Sequence, residues 1–165
     1  MKAHFLMMAN YNAWANVRLY KMAGALSDED YRKDVGAYFS SLHGTLNHLL
    51  VADRIWMRRL TGTGDHPARL NAILFDDLSA LRAARVAEDT RIVEYVQGLD
   101  EASLDQPCRY NTLSGAVQEQ RLREILAHVF NHEAHHRGQA HTILTMLGVT
   151  EPEPLDLLIM QRSIK

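Results

Sequence analysis

Apolar residues recur three and four positions apart through Phe5, Met8, Trp14, Val17 and Met22, the spacing that gathers side chains on one face of an α-helix. Ser27 followed by Asp28, Glu29 and Asp30 has the form of an N-cap and an acidic first turn, so the first helix ends before it. A second stripe, Leu42, Leu46, Leu49, Trp56 and Leu60, predicts helix over about residues 40–60, stopped by the run from Thr61 to Pro67 with its two glycines. Asp76 and Asp77 open a third, carried by Leu78, Leu81, Val86, Ile92, Val93 and Val96 to Gly98. The fourth runs through Leu122, Ile125, Leu126, Val129, Ile143, Leu144 and Leu147 to Gly148, with Pro152 and Pro154 beyond. Residues 99–119 show little periodicity, and nowhere does alternation argue convincingly for a strand.

Four amphipathic segments of roughly 20 to 28 residues, about 30 to 40 Å long each, can bury their stripes against one another. The expectation is an all-α four-helix bundle forming a single domain over residues 1–165, of a size that buries roughly 70% of its unfolded surface. The links after Leu60 and Gly98 are long, and the pattern leaves helix order open. A composition of 47% hydrophobic and 23% charged residues argues against disorder. The net charge of -2 offers no field to attract nucleic acid or anionic lipid, and no apolar run reaches the ~20 residues of a membrane span. A single cysteine, Cys108, and an N-terminus without signal-peptide character predict a cytoplasmic location.

Nine histidines are many for this length, and four of them fall in His128-Val-Phe-Asn-His132-Glu-Ala-His135-His136. On a helix, with His128 at zero, His132 lies at about 40° and His136 at about 80°, against a stripe of Ile125, Val129, Leu144 and Leu147 at about 60° to 160°. Both therefore turn toward the core. Imidazoles four apart on one face can chelate a divalent metal ion. His48, midway along the second helix, is the best third ligand; His43 lies about 140° away from it and cannot share the site. Three imidazoles and no fourth protein ligand would leave coordination positions open, as in catalytic metal sites. Without a metal, the same spacing is that of an ordinary core or surface pair. His128 with His132 forms a rival pair, or His128 orients a ligand. His4, His66, His135 and His141 carry no assigned role.

Asp53 and Glu133 fall on stripe positions, where an unpaired carboxylate is costly. Each is a candidate catalytic group, either an acceptor for a ligand's ring N–H or a general base, and Arg54, Arg123 or Arg137 could instead hold them in structural pairs. Gly44 and Gly138, inside helices, predict close helix approach near the site. His132-Glu133-Ala-His-His136 also reads as H-E-x-x-H, but Gly138 and His141 stand out of register with the extended metzincin pattern, so a peptidase is a subsidiary reading.

With these residues in hand, the chain resembles the DinB/YfiT-like metalloenzymes, and more closely the DinB branch, along most of its length. The matching segments are Tyr11-Asn-Ala-Trp-Ala-Asn16, Leu46-Asn-His-Leu-Leu-Val-Ala-Asp-Arg-Ile-Trp56, Tyr110-Asn-Thr-Leu-Ser-Gly115 and, most specifically, His128 to Gln139. The resemblance implies a metal triad of His48, His132 and His136, coinciding with the choice made from spacing. It further implies an up-down-down-up bundle, a zinc, nickel or other divalent ion, and a homodimer. It implies a small-molecule substrate as well: relatives of assigned chemistry use low-molecular-weight thiols in transferase or isomerase reactions, and others are proposed hydrolases. Arg137 and Gln139 belong to the motif, with structural support as their expected role. The resulting expectation is a metal-dependent enzyme that activates a thiol or water; the alternative is a non-catalytic metal-binding bundle.

Overall fold

The computed structural model describes residues 1–163. In chain order it contains α1 (Lys2–Ala23), α2 (Asp28–Arg32), α3 (Leu42–Thr61), α4 (Leu78–Gly98), a 3-10 turn (Glu101–Asp105), β1 (Pro107–Asn111), β2 (Val117–Arg121), α5 (Leu122–Met146) and α6 (Leu157–Ser163). The long helices fall where the apolar stripes put them. Local chemistry sets their ends: Ser41 Oγ accepts the Gly44 N–H at 3.1 Å and Asp77 accepts the Ala80 N–H at 2.8 Å, each satisfying an amide that has no partner in its own helix. Gly62, at φ 73°, takes the left-handed conformation that closes α3. Ser27 does act as an N-cap, but of the short α2.

The core divides into two clusters that fix the helix directions. At one end Leu19 and Tyr20 meet Leu42, Leu46, Leu81, Ile143 and Leu144; at the other Phe5 and Ala9 meet Met57, Ile92, Val96, Leu126 and Phe130. Hence α1 and α5 run one way and α3 and α4 the other, with α1 and α3 each packed on both α4 and α5. Val17 and Val86, counted in the stripes, are half exposed instead.

The all-helical expectation needs one correction. β1 and β2 pair antiparallel, Cys108 opposite Gln120 and Tyr110 opposite Gln118, around a turn in which the Thr112 N–H donates to the Ala116 carbonyl at 2.8 Å and Gly115 sits at φ 87°. Every β2 residue is exposed and only Cys108 and Tyr110 of β1 are partly covered, so no hydrophobic alternation announced the hairpin. It is held to α3 through side chains: Tyr110 meets Trp56 edge to face at 5.1 Å. Among the described residues no helix is long and apolar enough to cross a membrane.

Candidate metal centre

α3 carries His48 and α5 carries His132 and His136, and the antiparallel packing of these helices brings one ring nitrogen of each within 4.8 Å of the other two. His48 Nε2 lies 3.3 Å from His132 Nε2. Two nitrogens bound tetrahedrally to zinc at ~2.0 to 2.1 Å would stand about 3.3 Å apart, so the His48–His132 pair fits such an ion and His136 lies close enough to complete the set. The protons also fall correctly. His48 Nδ1 is 2.8 Å from the Leu70 carbonyl oxygen, which can only accept, so Nδ1 carries the hydrogen and Nε2 keeps its lone pair. His136 Nδ1 likewise donates to Gln139 Oε1 at 2.7 Å, while the Gln139 amide nitrogen reaches His135 Nε2 at 3.2 Å and thereby fixes which end of the amide faces His136. Gln139 and the Leu70 carbonyl are thus orienting groups; of these, only Gln139 carried a sequence signal.

Burial pushes the His48 imidazole down to about 4, with help from His136, and burial together with the neighbouring histidines pushes His132 down to about 3. Burial lowers His136 as well. All three are neutral near pH 7, the form that binds a metal.

Phe39, in the loop before α3, stacks on His48 with ring centroids 3.8 Å apart and presents its ring to the edge of His136 at 5.6 Å. Ser40, at φ 64°, turns the chain there, and a Cβ at Gly44 would overlap the Phe39 carbonyl oxygen. Gly44 therefore serves a close approach, of a loop and not of a helix. Gly138 does not: a Cβ there would meet nothing within 4 Å, because that face of α5 is open.

A cavity of about 510 Å³ opens beside His132, walled by Ile55, Trp56, Leu70 and His128 and by the hairpin turn Thr112–Ser114. His128 packs edge to face on Trp56 at 5.3 Å, its centroid 5.9 Å from that of His132, so it borders the cavity without joining the triad. His43 is buried elsewhere, its Nε2 3.2 Å from the Phe75 carbonyl, and His141 bonds the Glu153 carbonyl at 3.0 Å.

Asp53 and Glu133 are fully buried and neither lines that cavity. Arg85 of α4, unnoticed in the sequence, lies 2.7 Å from Asp53 and 3.0 Å from Asp89. Asn12 and Asn16 of α1 donate to Asp89 at 3.1 and 3.0 Å, Arg137 donates to Asn12, and Glu133 lies 3.6 Å from Arg137. Of the three arginines offered as structural partners, only Arg137 approaches one of the two carboxylates; Arg54 pairs with Asp65 at 2.8 Å and Arg123 with Asp105 at 2.6 Å. Burial pushes Asp53 up, partly opposed by Arg85, and burial with the adjacent Asp53 pushes Glu133 well above the usual carboxylate range. Burial also pulls on Arg85, but Asp89, Asp53 and Glu133 outweigh it and keep the guanidinium charged. Three buried carboxyls thus face two guanidiniums, and one proton held within the Asp53–Glu133 pair, both of which burial raises, would balance the cluster.

A family model for DinB proteins matches residues 1–163. The chain belongs to the DinB family. Among relatives of this DinB-family chain, protein DinB of Bacillus subtilis (strain 168) is 24% identical over 144 residues, which cover 84% of the chain and 83% of that protein. The crystal structure of a DinB-like protein from Bacillus cereus shares the fold with a TM-score of 0.69 at 19% identity, covering 91% of this chain and 95% of that one. A DinB-like protein from Bacillus subtilis gives 0.64 at 17% identity, covering 90% and 97%. The sequence resemblance and the family assignment therefore agree.

Proposed function

We propose that this DinB-family chain is a metal-dependent enzyme in which His48, His132 and His136 hold one divalent ion, zinc or nickel, for the activation of a low-molecular-weight thiol in an S-transferase-like reaction. The observation that carries the reading is that one ring nitrogen of each histidine lies within 4.8 Å of the other two, while Nδ1 of His48 and of His136 each face an oxygen acceptor, which leaves Nε2 of both rings free of a proton. An ion held there would lower the pKa of a bound thiol or water and make a nucleophile available near neutral pH. The chain's own residues do the rest. Leu70 and Gln139 fix the ring tautomers, Phe39 covers one side of His48, and the cavity beside His132 admits a small molecule. Glu133 and Asp53 act by holding α3 and α5 in register, since both are shut off from that cavity and engaged with arginines.

The same reading includes a single-domain four-helix bundle of up-down-down-up connectivity, supported by the two core clusters, together with a cytoplasmic location and a homodimer. Elemental analysis of untagged protein beside His132→Ala tests it. Near one ion per chain, lost in the variant, is expected, followed by thiol-dependent turnover in a screen of electrophiles. Tight metal binding without any effect of thiols would favour a non-catalytic metal-binding bundle.

A further inference from the structure

Arg59 is the unexplained cation of the cavity. It lines the same ~510 Å³ space as His132 and His128, with its guanidinium over the Trp56 ring at 4.6 Å and over the Tyr110 ring at 5.0 Å. The other covered arginines of α3 and α4 have acidic partners, Arg54 with Asp65, Arg85 with Asp53 and Asp89, and Arg91 with Glu88, while Arg58 and Arg82 are exposed to solvent. Among the described residues Arg59 has no carboxylate within 4.0 Å, and its Nε is buried without a hydrogen-bond partner. Burial accordingly lowers its pKa, opposed only by the Tyr110 hydroxyl and by no carboxylate. A half-buried guanidinium without a counter-ion is expensive to keep unless something arrives to pair with it, and the Trp56 and Tyr110 rings flank it at cation–π distance.

We propose that Arg59 is the anion-binding residue of the substrate site and that the substrate carries a carboxylate, which Arg59 pairs while the reacting end lies toward His132. The inference rests on the reading of the triad as a metal centre only for the reacting end; the carboxylate site is a property of the chain itself. One guanidinium matches one carboxylate in charge and in the geometry of its two parallel N–H donors. The apolar walls at Ile55, Trp56 and Leu70 suit the carbon skeleton between the two ends. Specificity then comes from the mispairing of a neutral analogue, which would leave the guanidinium buried and unpaired.

Calorimetric titration of the chelator-treated full chain with 3-phenylpropionate and with its neutral isostere 3-phenylpropanamide tests the carboxylate site. The expected result is about tenfold or greater preference for the carboxylate, the lower end of what a charge-assisted pair contributes. Arg59→Met should abolish that preference, because the carboxylate loses its partner while the methionine keeps the apolar stem that packs on Trp56; Arg59→Lys should keep part of it. Equal binding of the two probes by the wild type, failure of the carboxylate to bind, or a preference that survives Arg59→Met would each overturn the proposal. A parallel titration of cobalt-loaded protein with 3-mercaptopropionate and 2-mercaptoethanol, followed by thiolate-to-cobalt absorption, tests the thiol reading separately. Its failure beside an intact preference for 3-phenylpropionate would discard the thiol and uphold the carboxylate site.

Discussion

Arg85→Met removes the one cation that touches both Asp53 and Asp89, at 2.7 and 3.0 Å, from a site where all three side chains are 6% exposed or less. The methionine fills much of the volume, so the loss is chiefly electrostatic. Breaking a buried ion pair by deleting one partner costs about 3 to 5 kcal/mol, because the remaining charge is left without compensation. At roughly 2 to 4 °C per kcal/mol for a chain of this size, thermal unfolding should begin some 6 to 20 °C lower. Arg54→Met, which removes a pair whose Asp65 side is 69% exposed, should cost less than about 1 kcal/mol. Glu133→Gln is the decisive companion. If Glu133 keeps its proton in the folded state, the amide replaces a neutral donor and costs little at neutral pH despite complete burial. The sign with pH follows from linkage: Glu133 is raised on folding, so its contribution is complete below the ordinary glutamate range and is lost as pH rises toward the folded value. Wild type should therefore lose stability relative to Glu133→Gln between pH 5 and pH 8, by at most about 1.4 kcal/mol per pH unit. Chemical denaturation at several pH values, with chelator present, measures this. A Glu133→Gln variant as unstable as Arg85→Met at neutral pH, with no pH trend, would refute the shared-proton balance.

Metal affinity should weaken as pH falls below the ordinary histidine range and collapse below about pH 4, since burial lowers all three imidazoles and pushes His48 and His132 down to about 4 and about 3; competition titration with a chromophoric chelator follows it. The metal-free protein should lose stability as pH falls from ~6.5 through those values, because these histidines bind protons more readily when unfolded. Gly44→Ala should destabilise by about 1 to 3 kcal/mol through overlap with the Phe39 carbonyl and should weaken metal binding as Phe39 leaves His48, both read by thermal unfolding with and without zinc. Gly138→Ala, with open space around it inside α5, should instead stabilise by about 0.5 to 1 kcal/mol.

The long helices were legible because their apolar stripes are long and their stops are chemically marked, as Ser41 and Gly62 show at the two ends of α3. The histidine cluster was legible for a related reason: His132 and His136 lie at the edge of a stripe, and His48 lies at a buried position on a helix that must pack against it. The hairpin was not, since its strands bury almost nothing and its anchor, Tyr110 on Trp56, is a contact made across the fold. Arg85 was missed although a signal existed. It stands four residues after Leu81 and seven before Ile92, so it interrupts a stripe with an ionisable group, and Asp89 follows it one turn later.

That buried cluster and the histidine site share a mechanical dependence. Asp53 and His48 sit on α3, Glu133 and Arg137 are on α5 with His132 and His136, Arg85 and Asp89 come from α4, and Asn12 and Asn16 from α1. Apolar packing alone tolerates small slips along a helix, whereas a slip of one residue moves a side chain by about 1.5 Å and turns it by about 100°. Such a slip would separate Arg85 from Asp53 and His48 from His132 together. Ion pairs that form in only one register therefore help to hold the two imidazole nitrogens at their 3.3 Å separation, although none of the paired groups enters the cavity. On this argument Arg85→Met weakens zinc binding at a temperature where the variant is still folded, and a variant that unfolds early yet binds zinc with wild-type affinity would separate the network from the site.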